Sequence, residues 1–273
     1  MSFKKYSMMA IKAGVGVVPK PLRNFAKKNP AITSFYSRSL QKSGLFYGFP
    51  SKKKLLALYS QTLNLQQSVI NADIQRLATL TPKFSVAIIG EGGGKVSRTL
   101  RSIINQAENI DVVFTNVELA GLSKEFATLK VVKVSGPCDT LIQQARSPLL
   151  LLNAGDELHG QTLAYLSKKN VGDVLYVDTD QKLPGALCEN ARLLPDWNPD
   201  YQLSNAYVRS GVVLSAKLRA ELKQMSATTI AGLVTQLWLR DRELSVEHVP
   251  LSLVHHKDSK QAKLAELYEI ASL

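Results

Sequence analysis

The chain has 273 residues and a mass of 30.0 kDa, with 45% hydrophobic and 21% charged residues, which predicts an ordinary globular protein with a buried core. No apolar stretch approaches the roughly 20 residues that a membrane-spanning helix needs. Residues 8–18 are interrupted by Lys12 and two glycines, so we also expect no cleaved signal peptide. Cys138 and Cys188 are too few for a disulfide framework or a thiolate metal site, and we expect both to be reduced and buried in a cytoplasmic protein.

The formal net charge of +12 comes from the N-terminal part of the chain. Residues 55–273 carry 22 basic and 22 acidic side chains, and the first carboxylate is that of Asp73. The first 54 residues contain twelve basic side chains: Lys4, Lys5, Lys12, Lys20, Arg23, Lys27, Lys28, Arg38, Lys42, Lys52, Lys53 and Lys54. The sequence therefore predicts a neutral globule with a cationic extension over 1–54.

The basic residues of this extension are interleaved with aromatic and aliphatic side chains, among them Phe25, Phe35 and Phe46. This pattern suits the surface of an anionic membrane, where each Lys or Arg contributes about 1 kcal/mol. The same charges could neutralise nucleic-acid phosphates, but no helix-turn-helix, zinc or RNP-type motif supports that, and we expect no nucleic-acid partner. A solvated arm that packs on the globule through a few aromatic residues is the third interpretation.

After the extension, apolar residues at helical spacing over 55–80 predict a connecting helix, which is closed by Thr81-Pro82. Short apolar strands then alternate with amphipathic helices. The predicted strands are 84–90, 110–115, 130–135, 148–153 and 173–178, and the predicted helices are 96–106, 122–129, 138–145 and 160–168. This alternation indicates an α/β fold with a doubly wound sheet, because parallel neighbours need a crossover connection. In such sheets, ligands bind beyond the carboxyl ends of the strands.

The first such strand end carries GEGGGK over 90–95. Its spacing fits neither a Walker motif, since Lys95 stands where a glycine is required, nor the dinucleotide-binding pattern. This favours a βα turn without a specific ligand over a phosphate loop.

Two further strand ends carry acids. Asp156, after the strand 148–153, is either a ligand for a divalent cation that bridges phosphates or the N-cap of the next helix. Asp178 and Asp180 stand at alternate positions of a strand and would point the same way, toward a cation or a donor-rich ligand, unless they form an ordinary acidic turn.

The order of these segments resembles the family 2 glycosyltransferases with the GT-A fold, especially bacterial enzymes of surface-polysaccharide synthesis. The resemblance covers residues 84–257. It rests on FSVAIIG, TLRSIINQ, LLLNAGDEL, DVLYVDTD, LPDWNPDYQLSNAYV and QLWLRDRELSVEHVPLSLVHHK. These segments follow one another as they do in the family. The resemblance predicts a GT-A domain over 83–258, preceded by the connecting segment 55–82 and followed by a C-terminal helix over 259–273.

The resemblance implies a nucleotide-diphosphate sugar as donor, Mg²⁺ or Mn²⁺ as cofactor, and transfer of the sugar to a glycan or lipid-linked acceptor. On the matching positions, Asp156 would be the surviving acid of the metal motif, and His255 would lie near the metal or phosphate. Asp178 and Asp180 would face the donor or acceptor sugar. The acceptor side would be shaped by Asp196 and Trp197, although a tryptophan between two prolines can also be a buried plug, and a histidine at a strand end can simply bond to backbone.

The chain departs from the family pattern at functional positions. The second strand ends in Thr115-Asn116, where acids are usual, and Asn153 and Gly155 replace two residues of the metal motif. The expected catalytic base is replaced by Val234, and a second acid is replaced by Gln236. General-base catalysis typically contributes 10²–10⁴-fold, and Asp241 and Glu243 are the nearest acids to supply it. Two hypotheses follow: a transferase at the inner membrane face, or a degenerate GT-A domain that serves as a binding or assembly module.

Overall fold

The computed structural model describes residues 19–43, 52–81, 83–90, 92–117, 124–136, 140–182, 188–223, 225–256 and 260–273. Cys138 and the first 18 residues of the basic extension lie outside these ranges. The chain forms two compact units, Met1–Thr62 and Leu63–Leu273. None of the helices that the structure describes is long and apolar enough to cross a membrane.

The first unit is helical where it is described. It contains α1 (Lys20–Lys28), α2 (Pro30–Ser43) and the first part of α3 (Lys52–Arg76). Asn29 starts α2, because its Oδ1 accepts hydrogen bonds from the backbone of Ala31 and Ile32 at 3.0 and 3.3 Å. Pro30 follows at the first helical position, where a missing N–H has no cost.

The second unit contains the rest of α3 and the following elements in chain order: β1 (Phe84–Ile89), α4 (Gly93–Ile103), β2 (Ile110–Thr115), β3 (Val131–Lys133), α5 (Thr140–Gln143), β4 (Leu149–Asn153), β5 (Glu157–Leu158), α6 (Thr162–Leu166), β6 (Val174–Lys182), β7 (Cys188–Arg192), α7 (Pro199–Asn205), β8 (Val212–Leu214), α8 (Arg219–Leu222), α9 (Ile230–Arg240), β9 (Val246–His255) and α10 (Lys260–Ser272). Short 3₁₀ helices span Ile104–Asn109, Lys124–Phe126 and Ala216–Leu218.

The strands form one mixed sheet in the order β3-β2-β1-β4-β8-β6-β9-β5, with β7 paired to β6. The pairs β2–β3, β1–β2, β1–β4 and β6–β9 are parallel, whereas β8 runs antiparallel to both of its neighbours, β4 and β6. Because β8 reverses direction between them, β4 and β6 point the same way. The predicted α/β class with a doubly wound mixed sheet is confirmed.

One edge of this sheet collects the carboxyl ends of β1, β2, β4, β6 and β9 together with the start of β8. We call it the carboxyl edge; the strands end there at Ile89, Thr115, Asn153, Lys182 and His255. Parallel strands place their following loops side by side, so the polar residues of those loops lie along one line.

Each face of the sheet packs against its own apolar cluster. Val86 and Ile88 of β1 belong to a buried cluster with Leu100 of α4. Ala87, between them, belongs to a second cluster with Leu233 of α9. This alternation follows from the two-residue period of a strand. A fully buried Leu or Val contributes about 1.5–3 kcal/mol, so the two clusters fix the sheet and the strand ends that it carries.

The predicted strands 84–90, 110–115 and 148–153 coincide with β1, β2 and β4. The predicted helix over 122–129 is wrong for its described part, which forms only the 3₁₀ turn Lys124–Phe126. The buried residues of this part are Phe126 and Leu129, three positions apart. The turn in which the Leu129 N–H donates to the Phe126 carbonyl already buries both side chains, so their burial does not need a full helix.

Candidate functional site

The turns after β1 and β4 are packed against each other at the carboxyl edge. The Ala154 N–H donates to the Ile89 carbonyl at 2.7 Å, and the Gly155 N–H donates to the Thr99 hydroxyl at 3.0 Å. Gly90 has a φ of 125°, and a Cβ there would lie 3.3 Å from that of Ala154. The close approach of the two turns, together with a φ that favours glycine, explains the glycine that follows β1.

Asn116, just beyond β2, carries an unpaired polar atom at the same edge. Its Oδ1 is buried and has no hydrogen-bond partner among the described residues. A buried acceptor without a partner is costly unless a ligand or water completes it. Asn116 lies at a strand end where an acid was expected, and its side-chain oxygen can still contact a ligand.

Asp156 lies 3% exposed at the turn after β4. Its Oδ2 accepts hydrogen bonds from the Asn153 N–H at 2.9 Å and from the Ser210 hydroxyl. Burial raises the pKa of this carboxyl to about 6, against the opposing effects of Ser210, Asn153 and Arg209. The alternative role of Asp156 as a helix N-cap is not seen, since α6 begins at Thr162 after Gln161.

We expect the Asp156→Asn variant to lose a characteristic pH dependence of stability. A carboxyl whose pKa rises from 3.8 to about 6 on folding binds a proton more tightly in the folded state. The stabilisation that comes from this tighter proton binding is therefore present at low pH and is lost as the pH rises through about 6. The free energy of unfolding changes by about 3 kcal/mol. Urea unfolding of wild type and Asp156→Asn between pH 4 and 7 measures it. A constant difference between the two proteins would contradict the raised pKa.

Basic side chains gather beside Asp156. The Asn153 side chain donates to the Arg209 carbonyl at 2.9 Å, and Arg209 precedes Ser210. Arg192 lies 3.3 Å from the ring of His256. Burial and the charge of Arg209 lower the pKa of Arg192 to about 10, and burial together with both arginines lowers that of His256 to about 4. We call Arg192, Arg209 and His256 the basic cluster.

The C-terminal helix α10 contributes two acids to this region. Glu266 forms a buried ion pair with Arg209 at 3.1 Å, with side-chain exposures of 8% and 7%. Glu269 accepts hydrogen bonds from the backbone and hydroxyl groups of Thr228 and Thr229, at the start of α9. Gly232 leaves room for this carboxylate, because a Cβ there would lie 2.3 Å from Glu269 Oε2. The predicted C-terminal helix thus closes on the first turn of α9.

Asp178 and Asp180 have separate histidine partners. Asp178 is 2% exposed and accepts a hydrogen bond from the Leu194 N–H at 2.8 Å, while His248 Nε2 lies 2.9 Å from the same Oδ1. Asp180 is fully buried and contacts His255 Nδ1 at 2.5 Å. Each carboxylate therefore has its own histidine partner, and the two do not form a pair of like charges around one ligand.

His248 links the interior to the surface. Its ring stacks on Tyr176 with centroids 4.8 Å apart, and its Nδ1 lies 3.4 Å from Oδ1 of Asp196, whose side chain is fully exposed. Asp178, His248 and Asp196 thus form a line from the core to the solvent. The sequence shows His248 only as part of the EHVP segment, and nothing there singles it out as a site residue.

Trp197 is half-buried beside these residues. Its ring contacts those of Tyr207 and Trp238 at centroid distances of 6.1 and 6.3 Å. Its Nε1 is buried and unpaired among the described residues. The ring packing agrees with a buried structural role for Trp197. The unpaired N–H can donate a hydrogen bond to a ligand.

His255, Asp180 and Cys188 form a compact group at the ends of β9 and β6 and the start of β7. Cys188 Sγ lies 3.9 Å from His255 Nδ1, the same nitrogen that Asp180 contacts. A Cys-His-Asp triad needs the two partners on opposite ring nitrogens, so this group is not one. Burial and the nearby Asp180 raise the pKa of the Cys188 thiol to about 11. Cys188 is free and buried, as predicted.

The expected base position lies in the core. Val234 is fully buried in the apolar cluster of α9. Asp241 and Glu243 are exposed beyond the last turn of α9, with Asp241 Oδ1 accepting from the Glu243 N–H at 3.0 Å. At a rise of 1.5 Å per residue, Asp241 is roughly 10 Å along the helix from Val234. Gln236 accepts hydrogen bonds from the backbone of Ser226 and Ala227.

No family model and no curated protein matches the chain. Solved structures resemble it at low identity. A mannosyltransferase from Pyrobaculum calidifontis in complex with GDP-Man and Mn²⁺ is 12% identical, with a TM-score of 0.45 over 77% of this chain and 69% of that one. Glucosyl-3-phosphoglycerate synthase from Mycobacterium tuberculosis with Mg²⁺ and uridine-diphosphate is 11% identical (TM-score 0.42, 73% and 78% covered). The inositol-1-phosphate CTP transferase from T. maritima is 10% identical, with a TM-score of 0.42 over 72% of this chain and 96% of that one.

Proposed function

We propose that the chain is a glycosyltransferase that binds a nucleotide-diphosphate sugar at the carboxyl edge and transfers the sugar to a glycan or lipid-linked acceptor in surface-polysaccharide synthesis. The observation that carries the proposal is the placement of Asp156 next to the basic cluster. A carboxylate suits a divalent cation, and the guanidinium of Arg192 suits phosphate oxygens, whereas that of Arg209 is paired with Glu266. Both are the groups that a diphosphate needs, and they stand where ligands bind in sheets of this kind.

The cofactor of this proposal is Mg²⁺ or Mn²⁺. The buried Asp156 carboxylate fits one oxygen ligand of such a cation, and phosphate and water would complete the set, since Mg²⁺ keeps several waters. The cation would neutralise the charge of the leaving diphosphate. His255 contacts Asp180 and Cys188, and it is in register with Glu157, the residue after Asp156, so its expected place near the metal or phosphate stays a prediction.

The acceptor side of the proposal comprises Asp178, Asp196 and Trp197, whereas Asp180 is fully buried against His255. Asp196 is the exposed carboxylate of this group, and the unpaired Trp197 Nε1 is the donor beside it. Asp178 acts on Asp196 only through His248. We therefore assign direct acceptor contact to Asp196 and Trp197 and a positioning role to Asp178.

A binding or assembly module without chemistry is the second candidate function. The burial of Val234 favours it, because no carboxylate replaces the expected base at that position. Asp241 and Glu243, the first alternatives, lie at the far end of α9.

Turnover separates the two candidates. Wild type, Asp156→Asn and the exposed control Glu221→Gln are incubated with a panel of nucleoside-diphosphate sugars and Mn²⁺, and release of nucleoside diphosphate is measured. The transferase proposal expects Mn²⁺-dependent release in wild type and Glu221→Gln and its loss in Asp156→Asn. Donor binding without any release, with or without added acceptor glycans, would identify the binding module.

We also propose that residues 1–54 hold the protein on an anionic membrane surface. In the described part of this extension, Leu22 and Phe25 of α1 and Phe35 of α2 are 61%, 68% and 73% exposed. Exposed apolar side chains on short helices without a single acid are typical of helices that lie in a membrane interface.

We expect Lys20→Gln/Lys28→Gln/Arg38→Gln to weaken binding to phosphatidylserine vesicles about 100-fold, since each charge contributes about 1 kcal/mol. Vesicle sedimentation at low salt measures the effect, and added salt should release the wild type. The control Lys83→Gln/Lys130→Gln/Lys217→Gln removes three exposed charges outside the extension. Equal effects of both variants, or tight binding of wild type to DNA but not to vesicles, would refute the membrane role.

A further inference from the structure

Three potential metal ligands converge at the carboxyl edge. The ligand atoms of Asp180, Cys188 and His255 all lie within 4.8 Å of one another. Two of the separations are 2.5 Å, from Asp180 Oδ1 to His255 Nδ1, and 3.9 Å, from Cys188 Sγ to the same nitrogen. Asp180 is fully buried, and Cys188 is 9% exposed.

These residues are held by strand pairing and not by loops. Asp180 of β6 is in register with His255 of β9, and Cys188 of β7 is in register with Lys182 of β6. Three adjacent strands thus fix the three side chains. Ligands on paired strands are positioned more rigidly than ligands on loops, which is what a metal site requires.

The spacing suits a tetrahedral ion of the zinc class. Zinc lies about 2.0–2.3 Å from oxygen, nitrogen and sulfur ligands, so neighbouring ligand atoms in a tetrahedron are roughly 3.3–3.8 Å apart. The separations of 2.5 and 3.9 Å lie on either side of this range. Side-chain adjustments of about an ångström would bring them into it.

The ligand types select the metal. A thiolate is a soft ligand and imidazole an intermediate one, and both suit Zn²⁺ or Co²⁺, whereas Mg²⁺ takes oxygen ligands. Two cysteines alone predicted no thiolate site. The fold adds an aspartate and a histidine, which are distant from Cys188 in the sequence, and so completes a mixed ligand set.

A second histidine lies beside this group. The ring of His159 lies 6.4 Å from that of His255, and its Nδ1 is buried without a hydrogen-bond partner in the described structure. Zinc sites with three protein ligands keep a fourth position for water or substrate. An unpaired ring nitrogen nearby can orient the group in that position.

We propose that Asp180, Cys188 and His255 bind a transition-metal ion of the zinc class, with His159 in the outer shell. Its ligands differ from those of the hard-cation site proposed at Asp156, whose carboxylate contacts Asn153 and Ser210. It does not depend on the proposed donor binding.

The test uses Co²⁺ as the probe on the full chain, stripped of metal and kept reduced. Cobalt bound by a thiolate gives a sulfur-to-metal charge-transfer band in the near ultraviolet and intense visible bands when tetrahedral. We expect one equivalent of Co²⁺ to give both in wild type, equimolar Zn²⁺ to abolish them, and millimolar Mg²⁺ to leave them unchanged.

Cys188→Ser should lose the charge-transfer band, whereas the matched variant Cys138→Ser should keep it. His159→Ala should weaken Co²⁺ affinity about 10- to 100-fold while keeping the band, as expected of an outer-shell residue. Absence of the band in wild type, its persistence in Cys188→Ser, or displacement of Co²⁺ by Mg²⁺ would overturn the proposal. If Cys188→Ser does not fold, the melting temperature of wild type is measured with and without Zn²⁺. Zn²⁺ should raise it, and the absence of a rise would overturn the site. None of these outcomes bears on Mn²⁺-dependent nucleotide binding, so the two proposals fail separately.

Discussion

Val234→Asp is expected to lower the free energy of unfolding at pH 7 by more than about 4 kcal/mol, enough to unfold many single domains. Val234 is fully buried, in a cluster with Ile230, Leu233 and Leu237 of the same helix. An ionised carboxylate is unfavourable in this apolar cluster, so the aspartate must either remain protonated or force the helix out of the core. Chemical denaturation by urea measures the loss.

The matched control is Val234→Asn, which has the same size and polarity as the aspartate variant but no ionisable group. The two variants should be similar at pH 4 and diverge as the pH rises, because only the aspartate must remain protonated. If Val234→Asp instead unfolds like wild type at all pH values, the side chain faces solvent. The base position would then be open to the site, and restoring a base there would be feasible.

Glu266→Ala is expected to cost about 3–5 kcal/mol of stability, since it removes the acid that pairs with the buried Arg209. Arg209→Ala should cost a similar amount. The double variant Arg209→Met/Glu266→Leu should recover most of the loss, because replacing a buried pair by apolar groups is often neutral. Glu221→Ala, on an exposed residue of α8, is the control.

A loss below about 1 kcal/mol in Glu266→Ala would show that the pair is solvated, as surface ion pairs are. It would also mean that α10 is not held on the basic cluster by this contact. Thermal and urea unfolding of the four variants at low and high salt distinguish a buried pair from a screened one.

The central strands were predictable because they are continuous apolar runs. FSVAII and LLLLN each bury nearly every residue, and no helix of that length would do so. The error in the predicted helix over 122–129 has the opposite cause, since this stretch has few buried residues and a single turn buries them.

The site was only partly predictable. Asp156, Asp178 and Asp180 could be singled out as candidates because acids directly after apolar strands mark strand ends. Their partners could not, because His248 and Cys188 reach them through pairing of strands distant in sequence. The contacts of Glu266 and Glu269 depend on where α10 docks, which no local pattern specifies. Irregularities in the β6–β9 register, on either side of Asp178, likewise leave no signature in the sequence.

Titration calorimetry of the full chain with a panel of nucleoside diphosphates, with and without Mn²⁺, tests the proposed donor site most directly. Asp156 and the basic cluster predict that at least one nucleoside diphosphate binds. They also predict that the affinity of the wild type for this nucleotide falls at least about 10-fold when Mn²⁺ is omitted. Asp156→Asn should show a loss of the same size with Mn²⁺ present, since a cation bridging phosphates needs a protein carboxylate here. Glu221→Gln should bind as wild type does. If no nucleoside diphosphate binds, with or without metal, the donor site proposed at the carboxyl edge is wrong.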